Sequence, residues 1–301
     1  MKNYLPSFDY IEPLSLEEAL EKLSLFGEKA KLIAGGTDLV TAMREKGLRP
    51  KYVISMKNFM NALNRVEFDN KIQGLRIGAL TTLASLANSI ESSDILRDRF
   101  YVLAEAATQI GSYLIRNRAT IGGNLCNASP AADMAPAMMI LKAEAVLLSR
   151  SAIRTVPIQD FFIGPGKTAL GSNEMLKEIL IPEPTGAYGC SFLKISRKMT
   201  GLAIANVATY VELDRGKLKE VRVALGAVAP TPVISRSLAR ELVGKEIDEL
   251  NMTEICKKVE KDIKPISDVR ASLEYRRKMA YVLTQRSLQV SIKRAKEREA
   301  N

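Results

Sequence analysis

The apolar positions fall into helix-like and strand-like runs whose order changes part-way along the chain. Ser15-Leu16-Glu17-Glu18 carries the acceptor and acid of a capping box, and Leu16, Ala19, Leu20, Leu23 and Phe26 follow at helical spacing until Gly27. Lys31 to Ala34 reads as a short strand and Asp38 to Lys46 as a short helix stopped by Gly47 and Pro50. Lys51–Met56 and Leu75–Ala79 read as strands. Thr81 or Thr82 caps a helix running to about Ile90. A helix over Phe100–Ile110 follows, then a buried helix over Met134–Leu141, with Pro136 tolerable in its first turn. Ala143–Ser149 and Leu176–Ile181 are strands, separated by a loop that includes Phe161–Thr168.

Pro182-Glu183-Pro184-Thr185-Gly186 marks a boundary, dividing the chain into 1–182 and 183–301. Beyond it three strands run in succession, Ser191–Arg197, Leu202–Leu213 and Leu218–Ala227, the last two joined by the turn Asp214-Arg215-Gly216. Helices over Ser235–Val243, Met252–Asp262 and Leu273–Arg298 close the chain. Strands followed by helices make an α+β order.

Composition narrows the chemistry. The 301 residues are 47% hydrophobic and 26% charged, enough for one large or two ordinary cores. No apolar run approaches the roughly 20 residues of a membrane span, and Met1–Tyr10 lacks the pattern of a signal peptide, so a cytoplasmic protein is expected. There is no histidine, which excludes Ser-His-Asp and Cys-His catalysis and histidine metal sites. Cys126, Cys190 and Cys256 form no CxxC pair, so no metal site is expected on this chain. A bound cofactor is therefore expected to do whatever chemistry occurs. The net charge of +10 is spread along the chain with acids nearby, and aromatics are few, so nucleic acid is not the expected partner. The basic surface either docks on acidic protein or is simply solvated.

Two glycine turns carry the candidate chemistry. The first is Leu32-Ile33-Ala34-Gly35-Gly36-Thr37-Asp38-Leu39 and the second Thr120-Ile121-Gly122-Gly123-Asn124. Glycine lets backbone N–H groups approach a ligand, and successive N–H groups form a nest for anions. Two such turns suggest one diphosphate ligand held from two sides, against the alternative of ordinary strand-to-helix turns. Neither matches the G-x-G-x-x-G spacing of dinucleotide folds. Gly164-Pro165-Gly166-Lys167-Thr168 is not a P-loop, because the spacing is short and Pro165 lacks an N–H. Asp133 either accepts from a ribose hydroxyl or caps the helix that follows it. Lys194, in mid-strand, either faces water or supplies a positive charge to a bound group. Cys126 reads as a small buried residue.

With both turns in place, the sequence resembles the FAD-binding medium subunit of the molybdenum hydroxylases, the xanthine dehydrogenase and aerobic carbon monoxide dehydrogenase family. The resemblance runs through Ala34-Gly35-Gly36-Thr37, the stretch from Ile115-Arg116-Asn117-Arg118 to Ala131-Ala132-Asp133, and Phe161 to Thr168. It continues through Leu225-Gly226-Ala227-Val228-Ala229-Pro230-Thr231-Pro232 and Glu274-Tyr275-Arg276-Arg277-Lys278-Met279-Ala280. It implies a two-lobed FAD-binding α/β domain of the vanillyl-alcohol-oxidase (PCMH) type, then a domain with a three-stranded antiparallel sheet and helices. It implies that Leu32, Ile33, Ala34, Gly35, Gly36, Thr37, Asp38 and Leu39, with Thr120, Ile121, Gly122, Gly123 and Asn124, hold the FAD diphosphate. Asp133 would meet the adenosine portion; Ile110, Leu176 and Lys194 would lie beside FAD, with Lys177 leaving the register at Leu176 open by one. Lys194 would stabilise negative charge on the reduced flavin. The flavin does the chemistry, so no side chain is assigned a catalytic role.

The resemblance further implies two partners: a large subunit with molybdopterin and a small subunit with [2Fe–2S] clusters, in a dimer of heterotrimers. Electrons would pass from the clusters to FAD and on to an external acceptor. The extra cysteine-rich insert of the hydroxybenzoyl-CoA reductase branch is missing from this sequence. The alternative is a stand-alone FAD oxidoreductase of the same fold.

Overall fold

The computed structural model describes residues 4–247 and 250–300. The first lobe is a parallel sheet in the order β1-β3-β2, formed by β1 (Asp9–Ile11), β2 (Ala30–Ile33) and β3 (Tyr52–Ser55). Helix α1 (Leu16–Phe26) starts where Ser15 Oγ accepts from the Glu18 N–H, while Glu18 Oε2 accepts from the Leu14 N–H. Its Ala19, Leu20 and Leu23 bury against Ile54 of β3. Helix α2 (Leu39–Glu45) follows the first glycine turn, and a single turn, α3 (Met60–Leu63), leads out of the lobe.

The second lobe is an antiparallel sheet in which a late strand inserts between two earlier ones. Strands β4 (Val66–Asp69), β5 (Gly74–Gly78), β6 (Glu144–Leu148), β7 (Ile153–Pro157) and β10 (Met175–Pro182) line up as β4-β5-β10-β6-β7. Helices α4 (Leu83–Ser92), α5 (Asp94–Thr108), α6 (Tyr113–Arg116), α7 (Ile121–Cys126) and α8 (Met134–Ile140) lie between β5 and β6 in sequence. Strand β10 bulges between Leu176 and Glu178, so Lys177 drops out of the pairing with β6, and its carbonyl accepts from the Ala79 N–H. The stretch read as a loop over Phe161–Thr168 starts with the last residue of α9 (Ile158–Phe161) and is otherwise a small hairpin, β8 (Phe162–Gly164) with β9 (Lys167–Thr168).

The C-terminal part is an antiparallel sheet of β11 (Ala187–Ser196), β12 (Ala203–Asp214), β13 (Lys217–Gly226) and β14 (Val233–Ile234). The expected three strands are the long ones; the two-residue β14 adds a fourth at the edge. Helices α10 (Arg236–Leu242), α11 (Met252–Cys256) and α12 (Leu273–Glu299) complete it. The helix expected over Met252–Asp262 ends at Cys256 and continues as a tighter 3₁₀ turn. Long α12 lies close on one face of the sheet. A Cβ on Gly189 would sit 2.0 Å from the Ser291 carbonyl oxygen, and Thr209 Oγ1 is 2.7 Å from Ser287 Oγ and 2.6 Å from Ser291 Oγ.

The opposite face of that sheet packs on the second lobe. Tyr188, Phe192, Ala208 and Tyr210 share one core with Leu103, Ala107 and Met138 of α5 and α8. Both faces of β12 are thus covered, which is why its sequence is nearly continuous in apolar residues. The expected helix over Phe100–Ile110 starts earlier, at Asp94, behind the Ser93 cap; Phe100 breaks it locally with φ −128° and ψ 17°.

Candidate cofactor site

The first glycine turn is an open run of donors. Strand β2 ends at Ile33, whose carbonyl accepts from the Met56 N–H, and α2 winds up only after Asp38. Between them, the N–H groups of Gly35, Gly36, Thr37 and Asp38 have no acceptor among the described residues. Gly36 takes φ +76°, a conformation that L side chains rarely adopt. Gly35 is needed for a different reason: a Cβ there would lie 1.8 Å from the Arg118 carbonyl oxygen. The first turn therefore touches the backbone just ahead of the second, far away in sequence.

The second turn differs from the expected anion nest. It is the first turn of α7, capped by Thr120, whose Oγ1 accepts from the Gly123 N–H at 3.0 Å. The Ile121 N–H donates to Thr81, the Gly122 N–H to Ala79 and the Asn124 N–H to Thr120, each to a backbone carbonyl. All four N–H groups from Ile121 to Asn124 are spent on protein acceptors. Gly122 serves close packing, since a Cβ there would stand 2.6 Å from the Ala79 carbonyl oxygen. What the turn offers is the Asn124 side chain, whose Oδ1 is buried with no hydrogen-bond partner. An orphaned acceptor in the second turn and an open run of N–H donors in the first fit a ligand with both phosphate and donor groups. FAD has both.

A second cluster lies where the second lobe meets the C-terminal sheet. Lys194 Nζ is 2.6 Å from Asp133 Oδ2 and donates to the Gln109 carbonyl at 2.9 Å. The other carboxylate oxygen of Asp133 accepts from Asn206 Nδ2 at 2.6 Å. The Lys194 and Asp133 side chains are 3% and 5% exposed, so Lys194 does not face water. Nor does the Asp133 side chain cap α8. Burial pushes the Asp133 carboxyl up from its ordinary value, against the opposing pull of Lys194 and Asn206. A Cβ on Gly226 would fall 2.3 Å from Asn206 Oδ1, so glycine there makes room for the amide. Sequence reading missed Asn206; its signal is a lone amide inside the apolar stretch Ala203–Val211.

The remaining expected residues fall around these clusters. Leu32, Ile33, Ala34 and Leu39 are half-buried around the first turn. Ile110 follows Gln109, and its carbonyl and that of Gly111 accept from Arg116 at 3.2 and 2.9 Å. Leu176 is buried in the core, with Lys177 beside it tied to Ala79, the residue on which Gly122 packs.

The comparisons with known proteins agree with this architecture. The family described as "FAD binding domain in molybdopterin dehydrogenase" matches residues 6–184, and "CO dehydrogenase flavoprotein C-terminal domain" matches residues 191–290. The chain belongs to the FAD-binding subunits of the molybdenum hydroxylases. It is 33% identical over 284 residues to the glyceraldehyde dehydrogenase medium chain of Sulfolobus acidocaldarius, covering 94% of this chain and 98% of that one. To the carbon monoxide dehydrogenase medium chain of Afipia carboxidovorans it is 31% identical over 290 residues, covering 96% and 98%. Among solved structures it superposes on carbon monoxide dehydrogenase from Hydrogenophaga pseudoflava with a TM-score of 0.90 at 30% identity, covering 97% of this chain and 99% of that one. As a member of this flavoprotein family the chain is an oxidoreductase subunit and its cofactor is FAD. Among the described residues no helix is long and apolar enough to cross a membrane, and no group of three or more Cys, Asp or Glu side chains is placed to hold a metal ion.

Proposed function

We propose that this chain is the electron-transfer subunit of a heteromeric molybdenum hydroxylase, divided at residues 182/183. It would take electrons from [2Fe–2S] clusters on a small companion chain, beside a large molybdopterin chain, in a dimer of heterotrimers. It would deliver them to an external acceptor. The observation that carries this reading is the contact between Gly35 and the Arg118 carbonyl, which sets the open N–H run of the first turn against the second.

The N–H groups of Gly35, Gly36, Thr37 and Asp38 hold the diphosphate, and Asn124 Oδ1 accepts from a donor on the cofactor. Leu32, Ile33, Ala34 and Leu39 give the apolar side of that cradle. Thr120, Ile121, Gly122 and Gly123 brace it, fixing the Asn124 side chain through the capped start of α7. Asp133 and the Gln109 carbonyl hold the Lys194 ammonium at a fixed place beside Ile110, where a buried cation favours negative charge on whatever binds next to it. Leu176 closes the core behind the second turn. When bound, FAD supplies the redox chemistry, accepting electrons singly or in pairs. The unpaired cysteines are in keeping with a reducing cytoplasm.

The test is the absorbance spectrum of the purified chain before and after heat release, with chromatography of what is released and metal analysis of the co-expressed complex. FAD from this chain, with molybdenum and iron in the complex, supports the proposal. FAD on a chain that assembles with neither companion favours a stand-alone flavoenzyme. A colourless chain that cannot be reconstituted overturns both.

A further inference from the structure

Two stretches that carry the family resemblance, Leu225–Pro232 and Glu274–Ala280, meet at one end of the C-terminal sheet. The pairing of β12 with β13 stops there, at Asn206 opposite Gly226. Beyond that pair a side chain takes over. Arg276, in the first turn of α12 and 2% exposed, donates through Nη1 to the Ile204 carbonyl at 2.6 Å and to the Ala227 carbonyl at 3.0 Å. Its Nη2 donates to Asp268 Oδ1 at 2.7 Å, and Asp268 also accepts from the Arg270 side chain and N–H. One guanidinium thus ties together the ends of both strands and the loop ahead of α12.

The cost of this fork points beyond packing. Its Nε is buried without a hydrogen-bond partner, and a buried guanidinium is expensive where an apolar side chain would pack. What it fixes is the backbone at Ala227, which takes φ +63°, a conformation that L side chains rarely adopt. Arg276 holds the carbonyl of that residue, while its N–H donates to the Pro130 carbonyl at 2.6 Å. Pro130 lies three residues ahead of Asp133. Gly226, just before Ala227, stands opposite Asn206, whose amide donates to Asp133. The Asn206 amide is poorly anchored by its own hydrogen bonds, because its Oδ1 is buried with no partner. Its place is set by the surrounding backbone, and so by the hold on Ile204 and Ala227.

We infer that Arg276 is a positioning residue for the cofactor site. Through the Ile204 and Ala227 carbonyls it sets Asn206 and the Pro130–Asp133 segment, and through Asp133 it fixes the Lys194 ammonium. This rests on the reading that Lys194 lies beside FAD and favours negative charge on it.

The test is the midpoint reduction potential of FAD bound to the full-length chain, with Arg276→Lys as the variant. Lysine keeps the charge but cannot serve two carbonyls and a carboxylate as a planar fork does. Loosening the cluster and removing the Lys194 charge both weaken support for negative charge. Arg276→Lys and Lys194→Met are therefore expected to shift the potential in the same direction, downward, the first by less. The double variant is expected to go no lower than Lys194→Met alone, because both act through one ammonium. Leu283→Ala, a core truncation elsewhere in α12, is expected to lower the melting temperature and leave the potential at the wild-type value. If Arg276→Lys does not fold, Asp268→Asn, which weakens the anchor of the guanidinium, is read in its place with the same expectation. A wild-type potential in the folded variant, shifts that simply add in the double variant, or an equal shift in Leu283→Ala overturns the positioning role and leaves the Lys194 reading standing. An unchanged potential in Lys194→Met overturns that reading, and the inference with it.

Discussion

Replacing Lys194 with methionine tests the buried cluster most directly. The substitution keeps the apolar stem and removes the ammonium, leaving Asp133 with Asn206 as its single side-chain partner. Because both side chains are nearly fully buried, the exposed-pair range does not apply; breaking a buried pair from one side costs about 3–5 kcal/mol. For a chain of 301 residues that lowers the melting temperature by about 5–8 °C, from the specific entropy of unfolding. The cost depends on pH with a definite sign. Burial holds the folded Asp133 carboxyl above its ordinary value, and losing Lys194 raises it further. A group raised in the folded state binds more protons folded than unfolded. Its contribution is therefore fully present below the unfolded carboxylate value and is lost as pH rises through the folded one. The Lys194→Met deficit is thus wider at neutral pH and narrows as pH falls through the raised folded value of Asp133. Adding Asp133→Asn returns most of the loss, because replacing both partners leaves no orphaned charge. Melting followed by circular dichroism at neutral and mildly acid pH reads this out. A single variant melting within about 2 °C of wild type at neutral pH, or a deficit that ignores pH, refutes the argument.

Gly35→Ala forces a Cβ against the Arg118 carbonyl, and neither backbone can yield cheaply; a loss of about 3 kcal/mol or more and sharply reduced FAD retention are expected by thermal melting and flavin content. The buried thiols of Cys190 and Cys256 are both pushed up to about 12 by burial, so neither should react with a disulfide reagent at pH near 8 until the chain is unfolded, while Cys126 is only half-buried; rapid labelling of Cys190 or Cys256 in the native chain would contradict its packing.

What the sequence made legible is what local chemistry decides. The caps at Ser15 and Thr82 start α1 and α4 where expected, because each oxygen meets an N–H within the same turn. The three long C-terminal strands were visible through their apolar content. Strands β4 and β7 were missed for a common reason: both lie at the edges of their sheet, and the residues of β7 are mostly exposed, so neither gives a run of buried positions. The break at Phe100 left no mark either, since a buried phenylalanine inside a helical pattern looks like continuing helix.

The site divides along the same line. Glycine pairs announce turns, but they do not say whether the freed space is for a ligand or for the protein. At Gly36 the positive φ answers a purely local need. At Gly35 and Gly122 the need comes from Arg118 and Ala79, which approach only once the lobes have folded, so the second turn could be read as an anion nest until its N–H groups were traced to Thr81, Ala79 and Thr120. The Lys194 cluster is non-local throughout: the charge comes from β11, the carboxylate from the start of α8, the amide from β12, and the room for that amide from Gly226 on β13. No window of sequence contains it. Because those groups belong to both the second lobe and the C-terminal sheet, Lys194 is fixed only when the two are packed together. An isolated N-terminal part would hold Asp133 with neither Lys194 nor Asn206, so the C-terminal sheet is needed to complete this buried cluster.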